Sequence, residues 1–303
     1  MSRTRFRPDR KLVRRMLVTV FMLGLLYVLF VGVLIALHVS VLLIVIIAGG
    51  FFLLQYFASD RIALFAVGGH VVTPEEAPQL HAIIDRLCAL ADMPKPVVAI
   101  ADVDMPNAFA TGRSQKRALV CATTGIMRRL DNEELEGVLA HELSHVAHRD
   151  VAVMTIASFL GVLAGIITRF AFYSEMFGGG RRNDRDNTAS LVAIVMFVSG
   201  IVYAISFLLI RALSRYRELA ADRSGALLTG RPSALASALV KVTGEMGRIP
   251  TNDLRRVEPV NAFFFTPALA PGLSLSSLFS THPSLERRLE NLGSIARELG
   301  QPV

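Results

Sequence analysis

Four long apolar runs, residues 16–37, 41–57, 151–173 and 191–212, decide most of what this chain can become. Each approaches or exceeds the roughly 20 residues that cross a bilayer as a helix. They also explain why 52% of the 303 residues are hydrophobic and why the mean hydropathy reaches +0.49, high values for a water-soluble domain. The expected fold is therefore a mostly α membrane protein with four predicted transmembrane helices, arranged as two hairpins with soluble segments between and after them.

The flanks of the first run give an orientation. Arg3, Arg5, Arg7, Arg10, Lys11, Arg14 and Arg15 stand against one acid, Asp9, before the run begins. The run is longer than the apolar part of a signal peptide and no small-residue cleavage site ends it, so it reads as a retained anchor. The bias of Lys and Arg to the cytoplasmic side puts this end inside. Only His38, Val39 and Ser40 separate the first run from the second. The chain after Phe57 is then back in the cytoplasm, and His38 is a solvated turn residue. The net charge of +7 follows from this topology; no alternation of basic and aromatic residues accompanies it, which excludes nucleic acid as a partner. Two cysteines occur, Cys88 and Cys121. Without a C-x-x-C pair they indicate neither a disulfide framework nor a thiolate metal site, and read as small core residues.

Chemistry enters at His141-Glu142-Leu143-Ser144-His145. On a helix, residues four apart share a face, so both imidazoles can reach one metal ion with Glu142 beside it. This is the H-E-x-x-H arrangement of zinc hydrolases. Two neutral imidazoles and one carboxylate leave the fourth tetrahedral position of Zn²⁺ for water, whose pKa the metal lowers, and Glu142 then takes the proton. Asp131 and Glu134 have capping-box spacing, and Leu135, Val138, Leu139 and Leu143 follow at helical period, so a helix is predicted here.

Before the motif, Leu80, Ile83, Ile84, Leu87 and Leu90 predict a helix over 74–93, on which His81 reads as a surface or boundary residue. Val97–Val103 and Ala118–Ala122 read as strands. The segment 105–112 between them is either part of an ordinary hairpin or a strand whose free edge holds an extended substrate beside the metal. After the motif, His148 belongs to a polar helix end. Gly161 and Gly165 form a G-x-x-x-G contact signal, Arg169 can snorkel to the interface, and 174–190 reads as an exposed loop.

The fourth run returns the chain to Ser214–Gly225. Two crossings separate His145 from Glu218, so both end on one side, which Arg211, Arg215, Arg217 and Arg223 mark as cytoplasmic. Glu218 and Asp222, four apart on a helix, suit a carboxylate ligand and a carboxylate that accepts the N–H of a ligand histidine. Alone they would read as a solvated charged face. With the H-E-x-x-H motif and matching topology they complete a metal site about 9 Å from the lipid boundary.

Taken together, these motifs resemble those of the HtpX-type membrane zinc metalloproteases, relatives of the CAAX prenyl endopeptidases, over nearly the whole length. The resemblance implies one Zn²⁺ held by His141, His145 and Glu218, with Glu142 as general base and Asp222 behind a ligand. The family's S-R-x-R-E-x-x-A-D-x-x-G-A stretch falls on Ser214–Ala226, with Leu219 where relatives often carry an aromatic residue. Its N-A-F-A-T-G segment falls on Asn107–Gly112, which makes Asn107, Ala108 and Phe109 candidate substrate contacts. An H-P and arginine pattern falls on His282 and Arg288. A positioned histidine or arginine there can stabilise an oxyanion; Tyr216 is a rival, and a purely structural turn is as good a reading.

Towards the carboxyl end, Leu235, Leu239 and Val242 predict a helix over 233–242, packed under the ligand helix. Residues 249–280 form a Pro- and Ser-rich segment whose Phe263-Phe264-Phe265 reads as core, and Leu285, Leu289, Leu292 and Ile295 predict a last amphipathic helix. The organisation expected is a transmembrane hairpin in 1–58, the first part of a zincin-like α+β catalytic domain with a small β-sheet in 59–150, a second hairpin in 151–212 with its external loop, and the rest of the catalytic domain in 213–303. The function expected is a zinc endopeptidase of a bacterial-type cell membrane, facing the cytoplasm and acting on polypeptides, membrane proteins among them, in quality control or stress response. Prenyl-peptide processing and a non-catalytic metal-binding scaffold are the alternatives. An intramembrane protease is excluded, because Glu133, Glu134, Glu136, Arg149 and Asp150 around the motif make burial in lipid too costly.

Overall fold

The structure, a computed structural model, describes residues 10–36, 46, 49–50, 53, 64–65, 67–112, 114–150, 153–154, 164–165, 185–246 and 282–301. The readings of His38, of most of the second and third apolar runs and of the segment 249–280 lie outside these residues. What is described is mostly helical with one small sheet.

Helix α1 (Arg10–Ala36) carries the first apolar run. Leu23, Tyr27, Phe30 and Leu34 recur at spacings of four and three, and this stripe is its buried one. It packs antiparallel on the long helix α5 (Arg185–Thr229): Leu23 and Tyr27 cluster with Leu213, and Phe30 and Leu34 with Ala164 and Val202. Elsewhere on α1 the apolar residues face outward, Phe21 at 64% and Val28 at 71% exposure. A face of that kind needs lipid or a partner rather than water. Val13–Ala36 and Ala193–Thr229 are the two segments long and apolar enough to cross a membrane among the described residues. Near Tyr203 the Cβ position of Gly165 lies 3.1 Å from the ring, so the second glycine of the G-x-x-x-G signal sits at a close helix contact.

The fourth apolar run and the charged segment 214–225 form one unbroken helix. No proline interrupts α5, which ends where Gly230 adopts φ +68 and Pro232 opens the next helix, the usual placing of these two residues. At 1.5 Å per residue α5 spans about 70 Å, roughly twice a bilayer's hydrocarbon core. Its charged last part therefore projects beyond an apolar first part. The helix begins at Arg185, so residues 185–190 are helical and not loop, as the polarity there had suggested.

The sheet follows in chain order as β1 (Gly69–Val71), β2 (Val97–Ala101), β3 (Ala108–Thr111) and β4 (Leu119–Thr123). Its order is β1-β2-β4-β3, with β2 parallel to β4 and both outer strands antiparallel. The two expected strands are thus neighbours but not a hairpin. The segment between them supplies β3, after which the chain turns at Gly112, whose φ of +137 and crowding against Ala118 suit only glycine. Helix α2 (Pro78–Ala91) starts at the second of two prolines, four residues later than expected, and stops at Asp92 in a left-handed conformation. His81 is buried, not a boundary residue, with Nε2 3.1 Å from the Val72 carbonyl oxygen.

Short α3 (Thr124–Arg129) leads to α4 (Asn132–Ala147), which carries the H-E-x-x-H residues. Asp131 accepts from the backbone N–H groups of Glu133 and Glu134, and Glu134 reaches back to the Asp131 N–H, so the expected capping box is present. Helix α6 (Pro232–Met246) lies on α4, where Gly137 lets the Leu235 backbone approach and Ser237 and Lys241 bond Glu134. Helix α7 (Leu285–Glu298) closes the core with Leu292 and Ile295. Both cysteines are buried in it. Burial, with Asp85 nearby, lifts the Cys88 thiol to about 11, and burial lifts that of Cys121 to about 12. Iodoacetamide at pH 8 is accordingly expected to label neither in the native protein and both after denaturation, as read by mass spectrometry.

Candidate metal centre

Three elements converge on one point. Helix α4 supplies His141 and His145 from one face, and α5 crosses it carrying Glu218. The crossing is close because Gly225 has no side chain: a Cβ there would stand 2.9 Å from the His141 nitrogen and 3.1 Å from its Cα. Helix α7 lies against α5, with Arg288 on Asp222 and Asn291 donating to the Leu219 carbonyl.

The donor atoms form a small triangle. His141 Nε2 and His145 Nε2 are 3.3 Å apart. Glu218 Oε2 is 3.6 Å from His141 Nε2, and Oε1 is 3.4 Å from His145 Nε2. A tetrahedral ion with bonds near 2.0–2.1 Å sets its ligand atoms about 3.3 Å apart, so the three residues fit one metal ion. No other group of three such residues with this spacing occurs among the described residues.

Each imidazole is held from behind. His141 Nδ1 lies 2.9 Å from Asp222 Oδ1, and Asp222 is gripped by Arg288 through Nε to Oδ2 at 2.9 Å and Nη2 to Oδ1 at 2.6 Å. His145 Nδ1 lies 2.6 Å from Asp150 Oδ2. Such contacts fix the ring and turn Nε2 towards a metal. His141 is fully buried, which acts to lower its pKa, but the Asp222 and Glu218 carboxylates outweigh burial and raise it.

Glu142, next to His141 on α4, reaches the sheet. Its Oε2 accepts the Ala110 N–H at 2.9 Å. Burial raises the pKa of this carboxyl, against the opposing effect of the two histidines. Because β3 is an edge strand and the N–H of Ala110 leaves it away from β4, Ala108 and Ala110 present their backbone to the α4 side. Asn107 shapes the start of that edge: its Oδ1 accepts the Ala108 N–H at 2.8 Å. The Phe109 side chain, by contrast, is a core residue at 2% exposure.

The structure thus brings His141, Glu142, His145, Glu218, Asp222, His282 and Arg288 together, with His282 Nδ1 3.1 Å from Glu218 Oε2. Tyr216 is set differently, its ring centroid 5.9 Å from the guanidinium carbon of Arg15 on α1. Asp150 was missed as a partner of His145. It stands five residues after His145, off the helical face, and reaches back because Arg149 takes a φ of +56; a buried acid just past a metal helix is the signal that could have found it.

Comparison with known proteins gives a consistent picture. The model of Peptidase family M48 matches residues 74–296. Protease HtpX homolog 1 of Streptomyces coelicolor is 64% identical over 298 residues, covering 98% of this chain and 97% of that protein. Protease HtpX homolog 2 of Methanosarcina mazei is 50% identical over 96% of this chain and 97% of its own length, and Protease HtpX homolog of Moorella thermoacetica 51% identical over 96% of each. Among solved structures, the crystal structure of S. mikatae Ste24p superposes with a TM-score of 0.54 at 18% identity, over 94% of this chain and 67% of that one, a likeness of fold.

Proposed function

The chain belongs to peptidase family M48, and from that premise we propose that it is a membrane-bound zinc endopeptidase in which His141, His145 and Glu218 hold the metal and Glu142 is the general base. The observation that carries this reading is the triangle of donor atoms, 3.3 to 3.6 Å on a side, with Glu142 on the same helix turned to a strand edge.

Zinc bound there would supply Lewis acidity to the scissile carbonyl and to a water molecule. The remaining work belongs to the chain. An extended substrate lies along β3, where the carbonyl groups of Ala108 and Ala110 meet its backbone and Asn107 shapes the end of the edge. Glu142, held by the Ala110 N–H, takes the proton of the attacking water and passes it to the leaving nitrogen. His282, beside Glu218, is the donor best placed to steady the oxyanion; Arg288 spends its fork on Asp222, and Tyr216 faces α1.

The zincin-like catalytic domain would be cytoplasmic. Arg10, Arg14 and Arg15 stand at the end of α1 that meets the charged part of α5, so the basic bias and the site share a side. Counting the second and third apolar runs as spans gives four crossings, with the site hugging the membrane surface. That placement suits substrates embedded in or emerging from the bilayer, and membrane-protein quality control or stress response is the role that fits. Casein cleavage by full-length protein in detergent tests the activity. It should stop on exhaustive treatment with 1,10-phenanthroline and return with zinc; cleavage that persists without metal would contradict the reading.

A further inference from the structure

His145 is the more exposed of the two histidine ligands, its side chain 12% accessible against 0% for His141. It therefore depends more on a partner for its orientation. That partner, Asp150, reaches it through an unusual turn. Helix α4 stops at Ala147, His148 caps it, and Arg149 adopts a left-handed φ of +56, a conformation that side-chain-bearing residues seldom take. The turn swings the Asp150 carboxylate back beneath the helix end, where it is 3% exposed.

A carboxylate buried so deeply needs a cation as well as an imidazole N–H. Arg217 provides it. Its Nη2 lies 2.7 Å from Asp150 Oδ2, the same oxygen that faces His145 Nδ1, and its side chain is 8% exposed. On α5 it immediately precedes Glu218. The same arrangement backs the other histidine, where Arg288 holds Asp222 and Asp222 faces His141. Each ligand histidine thus has an aspartate behind it and an arginine behind the aspartate.

We propose that Arg217 is a positioning residue of the metal centre, which acts through Asp150 to orient His145. The inference rests on the zinc reading above. It gives α5 two tasks one residue apart, a ligand from Glu218 and the anchor of a second ligand from Arg217. Asp150 immediately precedes the third apolar run and Arg217 follows the fourth, so the pair joins two distant parts of the sequence at the metal site.

The test is zinc affinity of the full-length protein in detergent, stripped of metal and titrated against a competing chelator. Arg217→Met is expected to weaken binding about 10- to 100-fold, the usual cost of losing an outer partner of a ligand histidine. Asp150→Ala should do the same, and the double variant should be no weaker than Asp150→Ala alone, since the arginine acts through the aspartate. Arg217→Lys should recover part of the loss. Arg223→Met, whose arginine pairs with Glu298 instead, should bind as wild type. Wild-type affinity in Arg217→Met, with or without a lowered melting temperature, would reduce the pair to a structural tie and overturn the proposal, as would losses that add in the double variant. If Arg217→Met does not fold, Arg217→Gln, which removes the cation but keeps a polar side chain, decides in its place, and wild-type affinity there overturns it. Wild-type protein that takes up no zinc would instead overturn the function reading, and this one with it.

Discussion

Replacing Glu142 by Gln is expected to lower kcat for casein by about 10² to 10⁴, the range of a lost general base, while zinc stays bound. The separation follows from geometry. Glu142 is not one of the three donors, and its one described bond is made as an acceptor, from the Ala110 N–H. A glutamine amide oxygen can accept that N–H in the same place, so α4 and β3 keep their relation. What the amide lacks is the capacity to take a proton. Peptidase assays on metal-loaded protein, beside a zinc measurement on the same sample, read both halves, and a variant that cleaves at the wild-type rate would remove Glu142 from the mechanism.

Gly225 should prove nearly as sensitive although it has no side chain to react. A Cβ at this position meets the backbone of His141 at 2.9 and 3.1 Å and the Ala140 carbonyl carbon at 3.2 Å. None of these atoms can rotate aside, because all lie in the interior of α4. Gly225→Ala is expected to cost about 1–3 kcal/mol as the helices part, the usual range for overpacking. It should also weaken zinc binding at least tenfold, since Glu218 and His141 are carried on the two helices that separate. Gly225→Leu should not assemble the site at all. Gly244→Ala is the contrast: its glycine lies on α6 with nothing within 4 Å, and alanine there should stabilise by about 0.5–1 kcal/mol through helix propensity alone. Thermal melting and chelator competition distinguish the two, and a Gly225→Ala protein with wild-type affinity would show that the crossing is not what sets the donor triangle.

Local patterns were the legible part of this chain. The capping box at Asp131 and Glu134, the apolar faces of α4, α6 and α7 and the i, i+4 pairs His141/His145 and Glu218/Asp222 all follow from spacing along one helix. The expected meeting of Glu218 with the motif is also seen, its carboxylate 3.6 Å from His141 Nε2 and 3.4 Å from His145 Nε2. Tertiary partners were not written in any period. Asp150 reaches His145 only because Arg149 reverses the chain, and a left-handed arginine carries no sequence mark. The β3 strand is four residues long, too short for alternation to register. His81 looked like a boundary residue on its helix until Val72 supplied a buried carbonyl. The polar start of α5 resembled a loop, since charge and polarity report solvent exposure rather than helix ends.

The central claim is that three side chains hold one zinc ion. Metal content of the full-length protein in detergent, loaded with zinc and freed of unbound metal, tests it most directly, with wild type beside Glu218→Ala. The expected result is about one zinc per chain in the wild type, as a single three-ligand site requires, and loss of the metal from a Glu218→Ala protein that remains folded. A wild type that holds no zinc, or a Glu218→Ala variant that holds it as tightly, would contradict the account.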